Sequence, residues 1–335
     1  MSRKMPMKIL SIAVLAAVII ALPIALQSVY WTSVLIILWI NILMVSSLRT
    51  IRLLGHISLG HVGFSLIGAY GSALLVMKSG LPFFIAFFFG GMMSACIALV
   101  LAYPFLRVKG PYFALLTLLT AETFRLIAWH WPSLTGGFWG LLKIPSPNPI
   151  SVPLIGTITF DSVNNYYYLT AVIVTLSLVV LYLLERSYLG FKWRAIQDSE
   201  ALAQSVGMNV MRYKALNFAF ACFFAGLAGA LFAHYQHALS PDFSARFGVL
   251  MSIYLLVYMV VGGDSLFIGP IIGTVVLTII SELARELKAY QPMLIGAIAI
   301  LSVILIPEGL IGLPNRIALW YGKLSQQAGR LRRSA

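Results

Sequence analysis

Long apolar runs, separated by short polar segments, set the pattern of this chain. Most runs approach the roughly 20 residues that an α-helix needs to cross the hydrocarbon core of a membrane. Backbone groups in lipid must bond within their own segment, and no strand signature competes, so we interpret the runs as helices. The pattern predicts about ten spanning helices, over residues 9–26, 31–48, 57–77, 82–106, 112–131, 166–184, 215–237, 247–261, 266–283 and 292–306.

The composition supports a membrane protein. Hydrophobic residues make up 60% of the 335 residues and charged residues only 10%, whereas soluble domains carry about 25% charged residues. We therefore predict an all-α integral membrane protein in which residues 1–335 form a single polytopic domain. The basic segment 1–8 is typical of a signal peptide, but no convincing small-residue cleavage site follows, so we expect an uncleaved first helix. Cys96 and Cys222 lie within apolar runs and predict neither a metal site nor a disulfide.

Positive charges are distributed unevenly between alternate loops. If the N-terminus is cytoplasmic, the basic segments 1–8, 49–52, 107–109, 185–214 and 314–335 all fall on the cytoplasmic side. Lys and Arg are retained on that side of membrane proteins, so both termini are expected to be cytoplasmic and 314–335 to form a basic cytoplasmic tail. The same rule accounts for the net charge of +13 without nucleic-acid binding. The opposite side would hold only Lys78, Lys143, Arg246, Arg285 and Lys288.

The polar run 185–214 is the longest segment that lipid cannot bury and that is still rich in helix formers. Within it, residues 199–206 predict a short helix, with Asp198 or Ser199 as its N-cap and Gly207 as its end. The helix is amphipathic, and we expect Leu202, Ala203 and Val206 to contact a cytoplasmic partner. An ordinary solvated loop with positive-inside charges is the alternative interpretation. The surrounding cations are Arg186, Lys192, Arg194, Arg212 and Lys214.

Two glycine-rich stretches interrupt the apolar runs. In 55–71, glycines remove side-chain bulk, which suits either close helix packing or a broken helix that lines a solute path. His56 and His61 have no third ligand nearby, so we expect them to form hydrogen bonds between helices. The second stretch, 262–273, has a similar character, and the likeness hints at an inverted internal repeat.

Glu122 and Arg125 are three residues apart on one helix face, where they either pair with each other or line a pathway. The glycine-rich segment 135–141 is expected outside, where it could receive a binding protein, gate the entrance, or form a plain turn. The sequence contains no nucleophile elbow, zinc-protease motif or phosphate-binding P-loop, so an enzyme is not expected, and neither is ATP hydrolysis by this chain.

The chain resembles the permease subunits of branched-chain amino acid ABC importers, in the LivM-like branch. The resemblance extends from about residue 43 to residue 313 and rests on segments that occur in the family's order. They are SLGHVGF at 58–64, RVKGPYFALLTL at 107–118, TGGFWGL at 135–141, SYLGFKWRAIQDSEALAQSVGMN at 187–209, AGLAGAL at 225–231 and VVGGDSLFIGP at 260–270.

The resemblance implies a bacterial inner-membrane permease that binds no cofactor itself and assembles in the lipid bilayer with several proteins. These are a second permease, two ATP-binding subunits and a periplasmic or extracellular substrate-binding protein. The ATP is bound by the ATP-binding subunits and not by this chain. Residues 187–209 would seat on an ATP-binding subunit. The family usually has Gly-Asp-Tyr where this chain has Gly110-Pro111-Tyr112, and Gly-Gly-x-Gly at 262–265, and these differences weaken any assignment of the substrate.

Two groups of candidate residues follow, together with two rival functions. A urea or short-amide permease shares the pattern, and an ion-coupled carrier is a further alternative, although Glu122 is the only clear carboxylate in the middle of a predicted span. For the substrate pathway the candidates are Ser58, Gly60, His61, Gly63, Glu122, Thr135, Gly136 and Gly137. For the ATPase-coupling loop, within 185–214, they are Gly190, Arg194, Ala195, Asp198, Glu200, Ala203, Val206 and Gly207.

Overall fold

The computed structural model describes residues 21–23, 25, 27–108, 110–152, 156–241, 245–287, 290–305 and 309–312. Most of the first predicted span and the whole basic tail lie outside these residues. The described part is dominated by helices, as predicted. They are α1 (Val29–Arg52), α2 (His61–Ser79), α3 (Phe83–Phe105), α4 (Pro111–Trp129), α5 (Pro132–Thr135), α6 (Val163–Arg186), α7 (Tyr188–Asp198), α8 (Glu200–Ser205), α9 (Val210–Gln236), α10 (Val249–Gly262), α11 (Gly269–Leu283) and α12 (Gln291–Leu305).

Six of the described helices, α1, α2, α3, α4, α6 and α9, are long and apolar enough to cross a membrane. Each overlaps a span predicted from the sequence. The last three predicted spans correspond to α10, α11 and α12, which have 14 or 15 residues each. At 1.5 Å per residue such helices are only about 22 Å long, which is shorter than the roughly 30 Å hydrocarbon core.

Four short strands lie in the connections, where the sequence pattern predicted none. Strand β1 (Leu141–Leu142) pairs antiparallel with β4 (Ala238–Leu239), and β2 (Ile150–Val152) pairs antiparallel with β3 (Gly156–Ile158). The first pair joins the loop after α4 to the end of α9, which fixes that loop over one end of the bundle.

The centre of the bundle is α9, which packs against α1, α2 and α3. Glycines allow the helix backbones to touch, as is common between helices in membranes. A Cβ added to Gly68 of α2 would lie 2.2 Å from the carbonyl oxygen of Gly226 of α9, and one added to Gly229 would lie 1.9 Å from the carbonyl oxygen of Ser65. Much of the 55–71 glycine pattern therefore serves close packing.

The second glycine-rich stretch joins α10 to α11. Gly263 has a φ of +92°, and α11 begins at Gly269 after a short break in the helix. A Cβ added to Gly273 would lie 2.1 Å from the carbonyl oxygen of Tyr258. The two helices thus cross with their backbones in contact, and both also pack on α1.

The bundle has two distinct ends. The polar-loop end comprises residues 49–56, 185–214 and 263–268, which contact one another through ion pairs. The opposite end comprises residues 78–82, 130–152, 156–162, 237–241 and 245–248, joined by the β1–β4 pair and by a Lys78 Nζ hydrogen bond to the Ser133 carbonyl. This grouping agrees with the alternation of loops predicted from the charge pattern.

Candidate functional site

Two short helices, α7 and α8, form the polar loop. Ser187 caps α7 by accepting a hydrogen bond from Leu189 N at 3.2 Å, and Ser199 caps α8 by accepting one from Leu202 N, also at 3.2 Å. Gly207 follows with a φ of +82°. The short helix, its Ser199 cap and its glycine end were predicted correctly. Asp198, the alternative cap, is instead the last residue of α7.

Helix α7 was missed by the sequence interpretation, and a glycine allows its position. A Cβ added to Gly190 would lie 2.0 Å from the carbonyl oxygen of Glu185. Only glycine lets α7 turn this sharply against the end of α6. Gly190 is therefore a packing position within the candidate coupling loop.

Beneath α7 and α8 lies a small separate core, formed by Leu53, Leu54, Trp193, Ile196, Ala203 and Val210. Trp193 is fully buried, and its indole N–H donates to the Tyr213 carbonyl at 3.0 Å. Ala203 is only 3% exposed. The expectation that Ala203 contacts a partner is therefore wrong, because its methyl group faces this internal core.

The outer surface of the polar loop carries large apolar side chains. Leu202 and Val206 of the α8 segment are each 71% exposed, and Tyr188 and Phe191 of α7 are 73% and 71% exposed. Ala195 is half-buried. Exposed apolar groups rimmed by polar residues are typical of protein interaction sites. The described loop thus carries an exposed apolar outer surface above a buried core of its own.

Ion pairs attach the loop to the spanning helices. Lys214, which is 2% exposed at the start of α9, pairs with Glu200 of α8. Arg194 of α7 pairs with Glu185 at the end of α6. Asn217 Nδ2 of α9 donates to the Thr50 carbonyl of α1 at 2.8 Å. Glu200 and Arg194, both predicted as coupling-loop residues, therefore hold the loop in place.

Arg49 is the buried centre of these connections. Its guanidinium group forms two bonds to Glu185, one of them at 3.1 Å between Nη2 and Oε1. Its Nε donates to the Asp264 carbonyl at 3.1 Å, and Nη2 also lies 3.5 Å from the Ser265 carbonyl. The sequence interpretation treated Arg49 as a positive-inside charge, and nothing in the local pattern indicates these partners.

The first group of predicted pathway residues lies together where α1, α2 and α4 meet. His61 Nε2 is 2.7 Å from Ser47 Oγ, which confirms a hydrogen bond between helices. A Cβ added to Gly60 or Gly63 would lie 2.5 Å from the Thr117 carbonyl oxygen or 2.6 Å from the Ala121 Cα. Ser58 is buried as well. In this conformation the group is packed between the helices, and its role in a solute path stays a prediction.

Glu122 and Arg125 pair with each other on α4. Arg125 Nε lies 3.0 Å from both carboxylate oxygens of Glu122. Their side chains are 32% and 19% exposed on a helix whose outer face is mostly apolar. The pairing agrees with the simpler of the two sequence interpretations. The exposed large apolar residues of α4 are Tyr112, Leu115, Leu119, Leu126 and Ile127, and Thr123 is exposed beside them.

The remaining predicted pathway residues lie at the opposite end of the bundle, away from both the polar loop and the group around His61. They are Thr135, Gly136 and Gly137. Gly136 has a φ of +78°, and a Cβ there would lie 1.9 Å from the Gly140 carbonyl oxygen. Gly137 N donates to Thr135 Oγ1 at 3.3 Å. The segment is a tight turn that leaves Trp139 73% exposed.

The described helices define a multi-pass helical membrane protein with a structured polar loop at one end. The family described as "Branched-chain amino acid transport system / permease component" matches residues 24–305, and the chain belongs to it. The chain is 32% identical over 278 residues to the high-affinity branched-chain amino acid transport system permease protein LivM of Escherichia coli (strain K12). The LivM protein of Salmonella typhimurium (strain LT2) matches equally, at 32% over 278 residues.

These matches cover 78% of this chain but only 65% of the length of each relative. No solved structure matches the chain significantly. The comparisons and the apolar helices agree on a multi-pass membrane protein and a transport subunit.

Proposed function

We propose that this chain is the permease subunit of an ABC importer that moves branched-chain amino acids across a bacterial inner membrane, driven by ATP hydrolysis on separate subunits. The observation that supports this most is the polar loop. It exposes Leu202 and Val206 on a short capped helix while its other face is anchored by a core of its own. A short amphipathic helix of this kind fits into a groove of a partner protein.

The polar-loop end would then be cytoplasmic, and the opposite end would face the binding protein. Trp139 and Leu142, which are 73% and 60% exposed beside the 135–140 turn, are suited to contact that protein. Both chain termini, including the basic tail 314–335, would be cytoplasmic.

A second permease would cover the outer face of α4. A charged pair at membrane depth is costly in lipid and usually faces protein or a water-filled path. Glu122 and Arg125 are partly exposed on this face, in the middle of α4. The solute would pass along this face between the two permeases, which keeps Glu122 as a pathway residue.

The experiment is to purify the complex from membranes through a tag on this chain, reconstitute it in proteoliposomes, and measure uptake of leucine and of urea. We expect an ATPase to co-purify and leucine uptake to require ATP. Leu202→Asp should reduce ATPase co-purification, because a carboxylate would be buried in an apolar contact. Leu142→Asp, the same change at an exposed leucine of the opposite end, should leave it unchanged.

Three outcomes would contradict this proposal. Uptake of urea without leucine would favour the amide permease. Leucine uptake that persists without ATP and collapses with the proton gradient would favour an ion-coupled carrier. Equal ATPase recovery with Leu202→Asp and Leu142→Asp would mean that the polar loop does not bind the ATPase through Leu202.

A further inference from the structure

At Arg49 four separate parts of the chain meet. Arg49 lies in the last turn of α1, and Glu185 lies in the last turn of α6. Arg194 of α7 bonds to the same carboxylate as Arg49. The backbone carbonyls of Asp264 and Ser265, in the break between α10 and α11, accept the remaining hydrogen bonds of the Arg49 guanidinium group.

The burial of this junction makes its bonds hard to break one at a time. The Arg49 side chain is 3% exposed and the Glu185 side chain 9% exposed. Removing one partner from a buried ion pair leaves an uncompensated charge, which is strongly destabilising. A displacement of Glu185 by α7 must therefore be followed by Arg49, and through Arg49 by α1 and the carbonyl groups of the break.

A second, more exposed contact runs parallel to the first. Arg52 Nε bonds to Asp264 Oδ2 at 2.7 Å, with the two side chains 37% and 42% exposed. On the far side of the break, α10 and α11 are held backbone to backbone at Gly262 and Gly273. The break therefore cannot shift without moving both helices.

We propose that Arg49, assisted by the Arg52–Asp264 pair, transmits movement of the polar loop to α1 and to the α10–α11 pair. Arg49 is a positioning residue, since nothing places it against a solute. This inference rests on the proposed function, in which an ATPase moves the polar loop. It goes further by assigning the route by which that movement reaches the membrane-spanning helices.

The test uses the reconstituted complex and three readouts: ATPase recovered with the chain, ATP hydrolysed, and leucine taken up per ATP. Arg49→Lys keeps the charge but cannot bond Glu185 through two parallel N–H groups. We expect normal ATPase recovery and continued ATP hydrolysis, with leucine uptake per ATP reduced at least about fivefold, the lower range of typical coupling between sites. Arg285→Gln is the matched control. Arg285 forms an ion pair with Glu282, with 3.7 Å between Nη1 and Oε1, and this pair is not part of the polar loop.

If Arg49→Lys does not fold, the same measurements are made on Arg52→Gln and Asp264→Asn. These side chains are partly exposed, so we expect both variants to fold. Each single variant should lower uptake per ATP, and the double variant should be no worse than the singles. Uptake per ATP equal to wild type in these variants would overturn the inference. Loss of ATPase recovery in all of them would also overturn it, because the junction would then only hold the loop in place.

Failure of the proposed function is visible separately, before any variant is made. In that case the wild-type chain would recover no ATPase or would show no ATP-dependent leucine uptake.

Discussion

Two neighbouring residues, Leu202 and Ala203, show how sharply the polar loop divides its inner and outer faces. Leu202 is 71% exposed and Ala203 is 3% exposed. Ala203→Arg should therefore destabilise the folded chain, because an arginine must be buried without a partner or must push α8 away from its core. We expect a loss of at least about 1–3 kcal/mol, the range for overpacking alone. Leu202→Arg should leave stability nearly unchanged.

The measurement is thermal unfolding of the purified chain in detergent, with the two variants compared in parallel. Equal melting temperatures for Ala203→Arg and wild type would contradict the burial of Ala203 between α8 and the core that contains Trp193.

The Glu122–Arg125 pair makes the second prediction at this scale. Because each charge neutralises the other at membrane depth, Glu122→Gln alone should reduce folding or transport more than Glu122→Gln combined with Arg125→Gln. The yield of folded protein and leucine uptake are the quantities to compare. Effects of the two single changes that simply add in the double variant would mean that the residues act independently.

Residues with local partners were predictable from the sequence, and residues with distant partners were not. The Ser199 cap follows from a serine placed before a short amphipathic segment. The role of Arg49 does not, since its bonding partners are 136 to 216 residues away in the chain. The burial of Ala203 depends on which face of α8 packs against Trp193, and tertiary packing decides this rather than the local sequence.

At the scale of the helices, the crossing of α2 and α9 is the tightest contact of the central bundle to test. Gly229→Leu should prevent the helices from approaching, because a Cβ at Gly229 of α9 already lies 1.9 Å from the Ser65 carbonyl oxygen of α2. Overpacking of this kind typically costs 1–3 kcal/mol and can exceed it when backbone is in the way.

Gly296→Leu in α12 is the control, since a Cβ at Gly296 has no neighbour within 4 Å. Size-exclusion profiles and melting temperatures in detergent should separate the two variants. Normal folding of Gly229→Leu would mean that α2 and α9 do not pack as closely as described.

The long helices were predictable because run length alone identifies them. Helix α7 was missed because Gly190, in its first turn, normally argues against a helix start. The strands were missed because two or three residues carry no readable alternation. An inverted repeat remains a prediction from the likeness of the two glycine-rich stretches.

For the molecule as a whole, the separation of its two ends predicts its orientation. In a chain with Cys96 and Cys222 replaced by alanine, a cysteine at Ser205 should resist a membrane-impermeant maleimide in intact cells. A cysteine at Asp161, which is exposed at the opposite end, should react. Reaction at 205 and protection at 161 would reverse the orientation proposed here.

The central claim is that the polar loop seats an ATP-binding subunit through the exposed face of α8. The most direct measurement places a photo-crosslinking amino acid at Leu202, in cells that express the complete transporter, and identifies the crosslinked protein by mass spectrometry. The same group at Trp139, at the opposite end, is the control. We predict that position 202 crosslinks to an ATP-binding subunit and that position 139 does not. Absence of that crosslink at 202 in an assembled complex, or its appearance at 139, would contradict the account.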